Sequence, residues 1–187
     1  VKFKEAGKAE PDERKLWFDD TFGRLNTDAK GALLGSFGAE DRILVIYSDG
    51  NYEVTDLELS QRFDADKILL IEKFDPEKII TAVYLDNEKA QYSIKRFKIE
   101  TNSLRNKFFF IREGEGNRLE MVSTEEEPIL IVQTGRGSQV RKAKFKTVKL
   151  VDVMGWKAVG VKLADYSKSL TMDWEVKKKT DQPELFD

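Results

Sequence analysis

One element recurs along this chain: an apolar strand, a tight turn and a second strand. It is clearest at residues 43–55, where Ile43-Leu44-Val45-Ile46-Tyr47 leads through Ser48-Asp49-Gly50-Asn51 into Tyr52-Glu53-Val54-Thr55. Glycine in such a turn supplies the positive φ that a tight hairpin needs. Related hairpins occupy residues 79–94 and 129–141, and an earlier copy lies at 16–35. Because no long segment has a helical period, the chain is predicted to be β-rich throughout.

Each hairpin is followed by further strand-like residues, so that units of the same order start near residues 16, 42, 79 and 128. Repeats of this size predict an all-β, propeller-like array of about four four-stranded blades, in which stacked neighbours bury the faces that one blade leaves open. We expect the strand-like segment 169–176 to complete the first blade and close the ring. An ordinary β-sandwich or two small barrels are alternatives that the pattern leaves open.

The two ends differ from this repeating region, which spans residues 16–176. Residues 1–15 are predicted to be a linker or a lead-in to the first strand, and residues 177–187 a flexible tail. The first residues lack both an initiator Met and the apolar core of a signal peptide, so we expect the chain to be an excised piece of a longer protein. No apolar run approaches the roughly 20 residues that cross a bilayer, and no membrane association is expected.

Composition excludes several chemistries. The chain has no Cys and no His, so it lacks disulfides, the usual zinc ligands, the commonest general base and a thiol nucleophile. The absence of disulfides suits a reducing cytoplasm. Two acidic clusters, Asp19-Asp20 and Glu125-Glu126-Glu127, are poor candidates for catalysis. Adjacent residues of a strand point to opposite faces, and the second cluster lies in a loop before Pro128.

Charge is strongly segregated along the sequence, although the net charge is only −2. Residues 1–66 carry nine Lys or Arg and fifteen Asp or Glu, whereas residues 128–149 carry six Lys or Arg and no acid. Residues 89–118 carry eight basic and three acidic side chains. A partner responds to such local fields rather than to the sum, so the basic segments are predicted to bind a polyanion such as duplex DNA.

The candidate phosphate-binding residues lie on the outgoing strands of two hairpins and in one turn. They are Lys95, Arg96, Lys98, Arg136, Arg141, Lys142, Lys144 and Lys146. Lys142, Lys144 and Lys146 share strand parity and should project as a row on one side. We expect the two sets to line up along a continuous rim; a solvated strand face is the plain alternative.

Other conspicuous residues have structural explanations. Gly135-Arg136-Gly137 could cradle a phosphate but is more simply a hairpin turn. Phe108-Phe109-Phe110 is predicted to be a buried strand rather than a base-stacking platform. The three tryptophans, Trp17, Trp156 and Trp174, are predicted to pack between blades.

The repeated hairpin resembles the blade element of the C-terminal β-pinwheel domain of bacterial type IIA topoisomerase A subunits, which include those of DNA gyrase and of topoisomerase IV. Asp41 to Val54 carries the resemblance, and residues 91–97 and 129–142 repeat it with basic outgoing strands. The likeness covers residues 16–176 and is greatest to A subunits of the Bacteroidetes type.

The resemblance implies a non-enzymatic domain that binds and bends duplex DNA without reading its sequence. It would position DNA for ATP-dependent strand passage by a holoenzyme. The implied partners are DNA and, through other domains, a B-type ATPase subunit. The domain itself is expected to need no cofactor or metal, because ATP and Mg²⁺ belong to other domains. The implied location is the cytoplasm, at the nucleoid.

One departure concerns the box rich in Arg, Gln and Gly that gyrase A subunits carry between two hairpins. At the matching position, Thr27 to Gly35, only Lys30, Gly31 and Gly35 resemble it. By resemblance, the loss of this box favours decatenation and relaxation, as in topoisomerase IV, over supercoiling by DNA wrapping.

The tail suggests a separate hypothesis. Residues 182–186 resemble the Gln-x-x-Leu-Phe peptide that docks on the bacterial sliding clamp, with Gln182, Leu185 and Phe186 as the contacts. A plain disordered tail is the alternative. For the repeating region, the alternatives to DNA binding are a propeller whose basic face binds an acidic protein partner and, less favoured, a small carboxylate enzyme.

Overall fold

The computed structural model describes residues 13–177, and strands in four separate sheets dominate this part of the chain. Sheet A contains β1 (Arg14–Asp19), β2 (Arg24–Asn26) and β3 (Ala32–Phe37). Sheet B contains β4 (Ile43–Tyr47), β5 (Asn51–Thr55), β6 (Ile68–Lys73) and β9 (Phe108–Phe109). Sheet C contains β7 (Ile79–Asp86), β8 (Gln91–Lys98), β10 (Arg118–Ser123), β13 (Val153–Met154) and β14 (Val161–Asp165). Sheet D contains β11 (Ile129–Thr134), β12 (Arg141–Lys146) and β15 (Thr171–Trp174).

Within residues 13–177, helical structure is limited to the short helix α1 (Thr147–Leu150) and two 3₁₀ turns, Ala65–Lys67 and Gly137–Gln139. The all-β prediction is confirmed. The sheets hold three, four, five and three strands in the described residues, so the blades are less uniform than the four-stranded units expected from the sequence.

The hairpin turn between β4 and β5 shows why the repeated glycine is needed. Gly50 has φ +85°, a conformation that residues with a side chain rarely adopt. A Cβ atom at this position would also lie 2.0 Å from Cγ1 of Ile111, so the turn and a later segment of the chain meet at the glycine. The turn chemistry therefore fixes both the hairpin and its contact with the following unit.

Strand exchange links successive units. In each sheet the first strand of the hairpin pairs with a later strand of its own unit: β1 with β3, β4 with β6, β7 with β10 and β11 with β15. The second strand pairs differently. β5 pairs with β9, which comes from beyond the next hairpin, and β8 pairs with β13 and β14, which follow the β11–β12 hairpin. Sheets B and C are thus each completed by the unit that follows.

The segment 169–176 does not complete the first blade. Its strand β15 pairs with β11, with Trp174 opposite Leu130, and so belongs to the last sheet. In the described part of the chain no core cluster joins sheet D to sheet A. The expected ring closure by this segment is therefore wrong, because β11 had an edge open to a strand of its own unit.

The sheets stack in the order A, B, C, D, with an apolar core between each pair of neighbours. Leu16 of sheet A packs in one cluster with Val45 of sheet B, and Tyr52 of sheet B shares a second with Phe97 of sheet C. A third cluster joins sheets C and D. Every residue of β4 and β5 is buried, since both faces of sheet B are covered. Each large side chain buried in this way contributes roughly 1.5–3 kcal/mol.

Two of the three tryptophans lie between sheets as expected. Trp156 packs against Tyr52, with ring centroids 6.0 Å apart, and the indole N–H of Trp174 donates to the carbonyl of Val122 at 3.2 Å. Trp17 is different: it lies on the face of sheet A opposite its core residues Leu16 and Phe18. Phe109 also departs from expectation, because it is exposed while Phe110 is buried.

A buried lysine joins the two exchanged segments. Lys95 of β8 is 1% exposed, and its ammonium donates to the carbonyl oxygens of Phe110 at 2.5 Å, Trp156 at 2.7 Å and Ala158 at 2.7 Å. The first acceptor follows β9 and the other two lie between β13 and β14. Burial lowers the pKa of Lys95 from 10.5 to about 8. The ammonium satisfies three backbone carbonyls at the junction of sheets B and C.

We predict that Lys95→Met lowers the free energy of unfolding by about 1–3 kcal/mol or more, because three buried carbonyls lose their donor. The exposed ion pair of Lys98 with Glu77 makes Lys98→Met a matched control that should cost less than about 1 kcal/mol. Chemical denaturation of both variants measures the difference, and equal costs would contradict the assignment.

The same variant tests the lowered pKa. Between pH 8 and 10.5 the unfolded chain binds more protons at Lys95 than the folded chain, so this group adds stability as the pH rises. The advantage of the parent protein over Lys95→Met should therefore widen across that window. A constant difference would show that the pKa is not lowered.

Candidate nucleic-acid interface

The hairpin of sheet D carries the most exposed basic surface. Its turn needs glycine, because Gly135 has φ +93° and a Cβ there would lie 2.3 Å from the carbonyl oxygen of Gln139. Residues 135–137 therefore form the hairpin turn that leads into a 3₁₀ turn, in agreement with the simpler of the two interpretations. All six Lys and Arg side chains between residues 128 and 149 are exposed.

The strand register puts three lysines on one face. Lys142, Lys144 and Lys146 lie opposite Gln133, Ile131 and Ile129 of β11. The alternate residue Phe145 lies opposite Leu130, and both pack toward sheet C. The lysines thus project from the side of sheet D that faces away from sheet C, which we call the outer face of sheet D. At about 3.4 Å per residue, their row spans about 14 Å.

Carboxylates approach this face from β15. Glu175 forms an ion pair with Lys144, and Asp173 lies opposite Ile131 on the same face. In the part of the chain that the structure describes, the other five cations of residues 128–149 have no ion pair. These are Arg136, Arg141, Lys142, Lys146 and Lys149. The local field is therefore positive, with one lysine neutralised.

The basic residues Lys95 and Arg96 of β8 are buried, unlike those of β12. Their prediction as phosphate contacts is therefore corrected. Lys95 points into the core between sheets B and C, where its ammonium donates hydrogen bonds to three carbonyl oxygens. Arg96 is 6% exposed and points toward sheet D, where its guanidinium lies 3.4 Å from the carbonyl of Glu126 and its Nε has no partner. Neither side chain is available to a phosphate.

Sheet C has neighbours on both sides, so alternate residues of β8 enter two different cores. Only Lys98, at the strand end, remains at the surface, and it is paired with Glu77 at 3.1 Å. The continuous rim of cations from successive units, expected from the sequence, is consequently interrupted. Among the predicted phosphate contacts, those that are exposed and have no ion pair in the described residues come from the hairpin of sheet D.

The loop that matches the gyrase box has a defined conformation of its own. The Asn26 carboxamide oxygen accepts from the backbone N–H groups of Asp28 at 3.1 Å and Lys30 at 3.0 Å, and its NH₂ donates to the Lys30 carbonyl at 2.8 Å. Gly31 has φ +84°, and a Cβ there would lie 2.0 Å from the Phe18 carbonyl oxygen.

Lys30 is exposed, while Gly35 lies at a β-bulge opposite Leu16 with φ +128°. Lys30 and Arg24 line a shallow cleft together with Asp19 and Asp28, so positive and negative charges alternate there. This loop is not a second basic surface.

One cleft was not predicted from the sequence. It has a volume of about 460 Å³ and is lined mainly by apolar groups, among them Phe109 and Trp156. The charged residues of the lining are Asp86, Lys89, Arg112 and Lys157. Arg112 is paired with Glu88. The lining comes from three segments that are far apart in sequence, so no local sequence pattern predicts the cleft.

The two acidic clusters are placed at a turn and at the surface. The Asp19 carboxylate accepts from the backbone N–H of Thr21 at 3.0 Å and so caps a turn, and residues 125–127 are exposed. Within residues 13–177 there is no group of three side chains placed to hold a metal ion. No helix in that range is long and apolar enough to span a membrane.

The suggested clamp-binding residues Gln182, Leu185 and Phe186 lie outside the described residues.

Comparison with known proteins identifies the fold. The crystal structure of the C-terminal domain of DNA topoisomerase IV is similar to this chain, with a TM-score of 0.64 and 15% sequence identity over 91% of the chain. The chain spans 63% of the length of that structure. The predicted β-pinwheel is thereby confirmed. No curated protein matches the chain in sequence.

A family model gives the closer relationship. The model described as the topoisomerase C-terminal domain of the Bacteroidota matches residues 24–169, which include strands of all four sheets. This match covers well over half of the chain and agrees with the resemblance carried by the repeated hairpins. The chain belongs to the family of topoisomerase C-terminal domains of the Bacteroidota.

Proposed function

We propose that the chain binds duplex DNA without sequence preference, through phosphate contacts made by the hairpin of sheet D. The observation that carries the proposal is the outer face of sheet D, where Lys142 and Lys146 are exposed and have no ion pair among the described residues. Arg136 and Arg141 extend the same basic surface along the strand and its turn. The family assignment supports DNA as the polyanion, since topoisomerases act on DNA.

The chemistry needed is electrostatic. Lys and Arg neutralise phosphates and release condensed counterions, which supplies most of the free energy of non-specific binding. Such contacts fix the position of a duplex without reading its bases. A strand of six residues is about 20 Å long, which corresponds to about six base pairs at 3.4 Å each. One sheet therefore offers a short footprint.

A short footprint limits how strongly this region deforms DNA. Bending a duplex costs several kcal/mol for large angles over 20–30 base pairs, and this cost has to be offset by contacts along the bend. With Lys95 and Arg96 buried, contacts from one sheet favour holding a segment with slight bending over wrapping it.

In the intact enzyme we propose that this domain presents a DNA segment for ATP-dependent strand passage at the nucleoid, together with a B-type ATPase subunit. Decatenation and relaxation fit the short footprint and the reduced box at Lys30, Gly31 and Gly35. Supercoiling by chiral wrapping is less consistent with both features.

The salt dependence of binding should report the number of contacts. The slope of log affinity against log salt should be about −4, at about −0.9 per phosphate. This value counts Arg136, Arg141, Lys142 and Lys146 in full and the ion-paired Lys144 in part. Titration of a random-sequence duplex by fluorescence anisotropy measures it. A slope of about −7 would mean that the residues of β8 also bind, and a slope near zero would favour an acidic protein partner through another mode of recognition.

Removing the lysine row should weaken binding locally. Lys142→Gln, Lys144→Gln and Lys146→Gln together should lower duplex affinity at least about tenfold at 0.1 M salt and flatten the slope by about 2 to 3. The control combines Lys67→Gln, Lys73→Gln and Lys78→Gln, which removes the same charge from exposed ion pairs elsewhere.

The control should change the affinity by less than about twofold, because exposed pairs contribute little and lie away from the proposed surface. Thermal unfolding of both triple variants verifies that the fold is kept. Equal weakening by the two variants would mean that DNA binding depends on the net charge of the protein. That result would contradict the proposed interface.

A further inference from the structure

Strand β12 occupies a position that is filled in the two central sheets. β5 and β8, the equivalent second strands of their hairpins, each pair on their outer side with a strand from the following unit. In residues 13–177, β12 pairs with β11 only. Five of its six residues are exposed, including Ala143, which lies on the face directed toward sheet C.

An open edge of this kind has a defined chemistry. Alternate residues of an edge strand direct their N–H and C=O groups away from the sheet, where an extended chain can pair with them. Peptides that add a strand to an exposed edge use these groups for affinity and side-chain contacts for specificity. Sheets B and C show that the second hairpin strand accepts such a neighbour.

The side chains restrict which strand can be added. β12 carries four cations in six residues, Arg141, Lys142, Lys144 and Lys146. A second copy of β12 would place cations against cations, and like charges directly opposite one another on adjacent strands are destabilising. Lysine on an edge strand commonly prevents such self-pairing. The same residues attract a strand that carries carboxylates.

We infer that the free edge of β12 accepts an extended acidic segment of a partner protein as the missing fourth strand of sheet D. Carboxylates at every second position of that segment would lie beside Lys142, Lys144 and Lys146 on the outer face of sheet D. The intervening residues would be small or β-branched, because they continue the face that bears Ala143 and Phe145. A segment of about six residues matches the strand.

Such a partner would regulate DNA binding. The lysines that bind phosphate under the proposed function are those that the acidic strand would neutralise, so the two ligands exclude one another. The strand addition itself rests on the sheet topology and the charge of β12. The competition rests in addition on the proposed function.

The test uses the full chain and a blocked octapeptide of alternating Val and Glu. Amide hydrogen exchange is followed by mass spectrometry with and without saturating peptide. The expected result is slower exchange at residues 141–146, with displacement of a bound duplex. Two control peptides are informative: one of alternating Val and Lys, and one of alternating Val and Glu with every backbone nitrogen methylated, which keeps the carboxylates but cannot donate hydrogen bonds.

Neither control should protect residues 141–146. The inference is overturned if the Val–Glu peptide protects no amide of β12, if protection falls instead on the cleft of Phe109 and Trp156, or if the methylated peptide displaces DNA equally well. DNA binding is measured separately on the same protein. If the duplex binds but the peptide protects no amide of β12, the strand addition is contradicted and the proposed function is not. If the peptide protects β12 but no duplex binds, the proposed function is contradicted and the strand addition is not.

Discussion

A β-hairpin leaves backbone N–H and C=O groups unpaired along both of its outer edges, and pairing these edges is the constraint on which this fold depends. The chain meets it by letting each central sheet borrow a strand from the next unit, β9 for sheet B and β13 with β14 for sheet C. The borrowed segments meet at Lys95, whose ammonium binds three of their carbonyls. Neighbouring sheets are therefore joined by covalent continuity, by hydrogen bonds and by apolar cores.

The same arrangement decides where charge can act. A cation in the middle of β8 has a neighbouring sheet on each side, so Lys95 and Arg96 are buried and bind backbone carbonyls. A cation on the last sheet can project from a face that no core cluster covers, and Lys142 and Lys146 do so. Similar basic strands thus serve structure in sheet C and surface recognition in sheet D. The difference arises from their place in the array and not from their own sequence.

Local sequence signals predicted local structure well. The turn at Gly50 and the parity of Lys142, Lys144 and Lys146 follow from short-range rules of strand geometry, and both are seen in the structure. Repetition of the hairpin predicted a propeller-like array, and the resemblance of that hairpin to topoisomerase C-terminal domains implied the β-pinwheel. Partners distant in sequence could not be predicted in this way, because the destination of β15 depends on which edges other units leave open.

Burial of Lys95 and Arg96 was missed for the same reason: a basic residue on a strand looks identical whether one or two faces of the sheet are covered. The cleft lined by Phe109 and Trp156 required three separate segments to meet. A buried lysine also carries no local signature, since its acceptors are backbone carbonyls that any residue can supply.

Chemical footprinting of lysines reveals directly which side chains a duplex covers. Reductive methylation of the protein, with and without saturating random-sequence DNA, can be read out residue by residue by mass spectrometry. We expect DNA to protect Lys142, Lys144 and Lys146 while Lys30 and Lys157 stay reactive. Protection centred on Lys30 or Lys157, or spread evenly over the surface, would contradict the proposed interface.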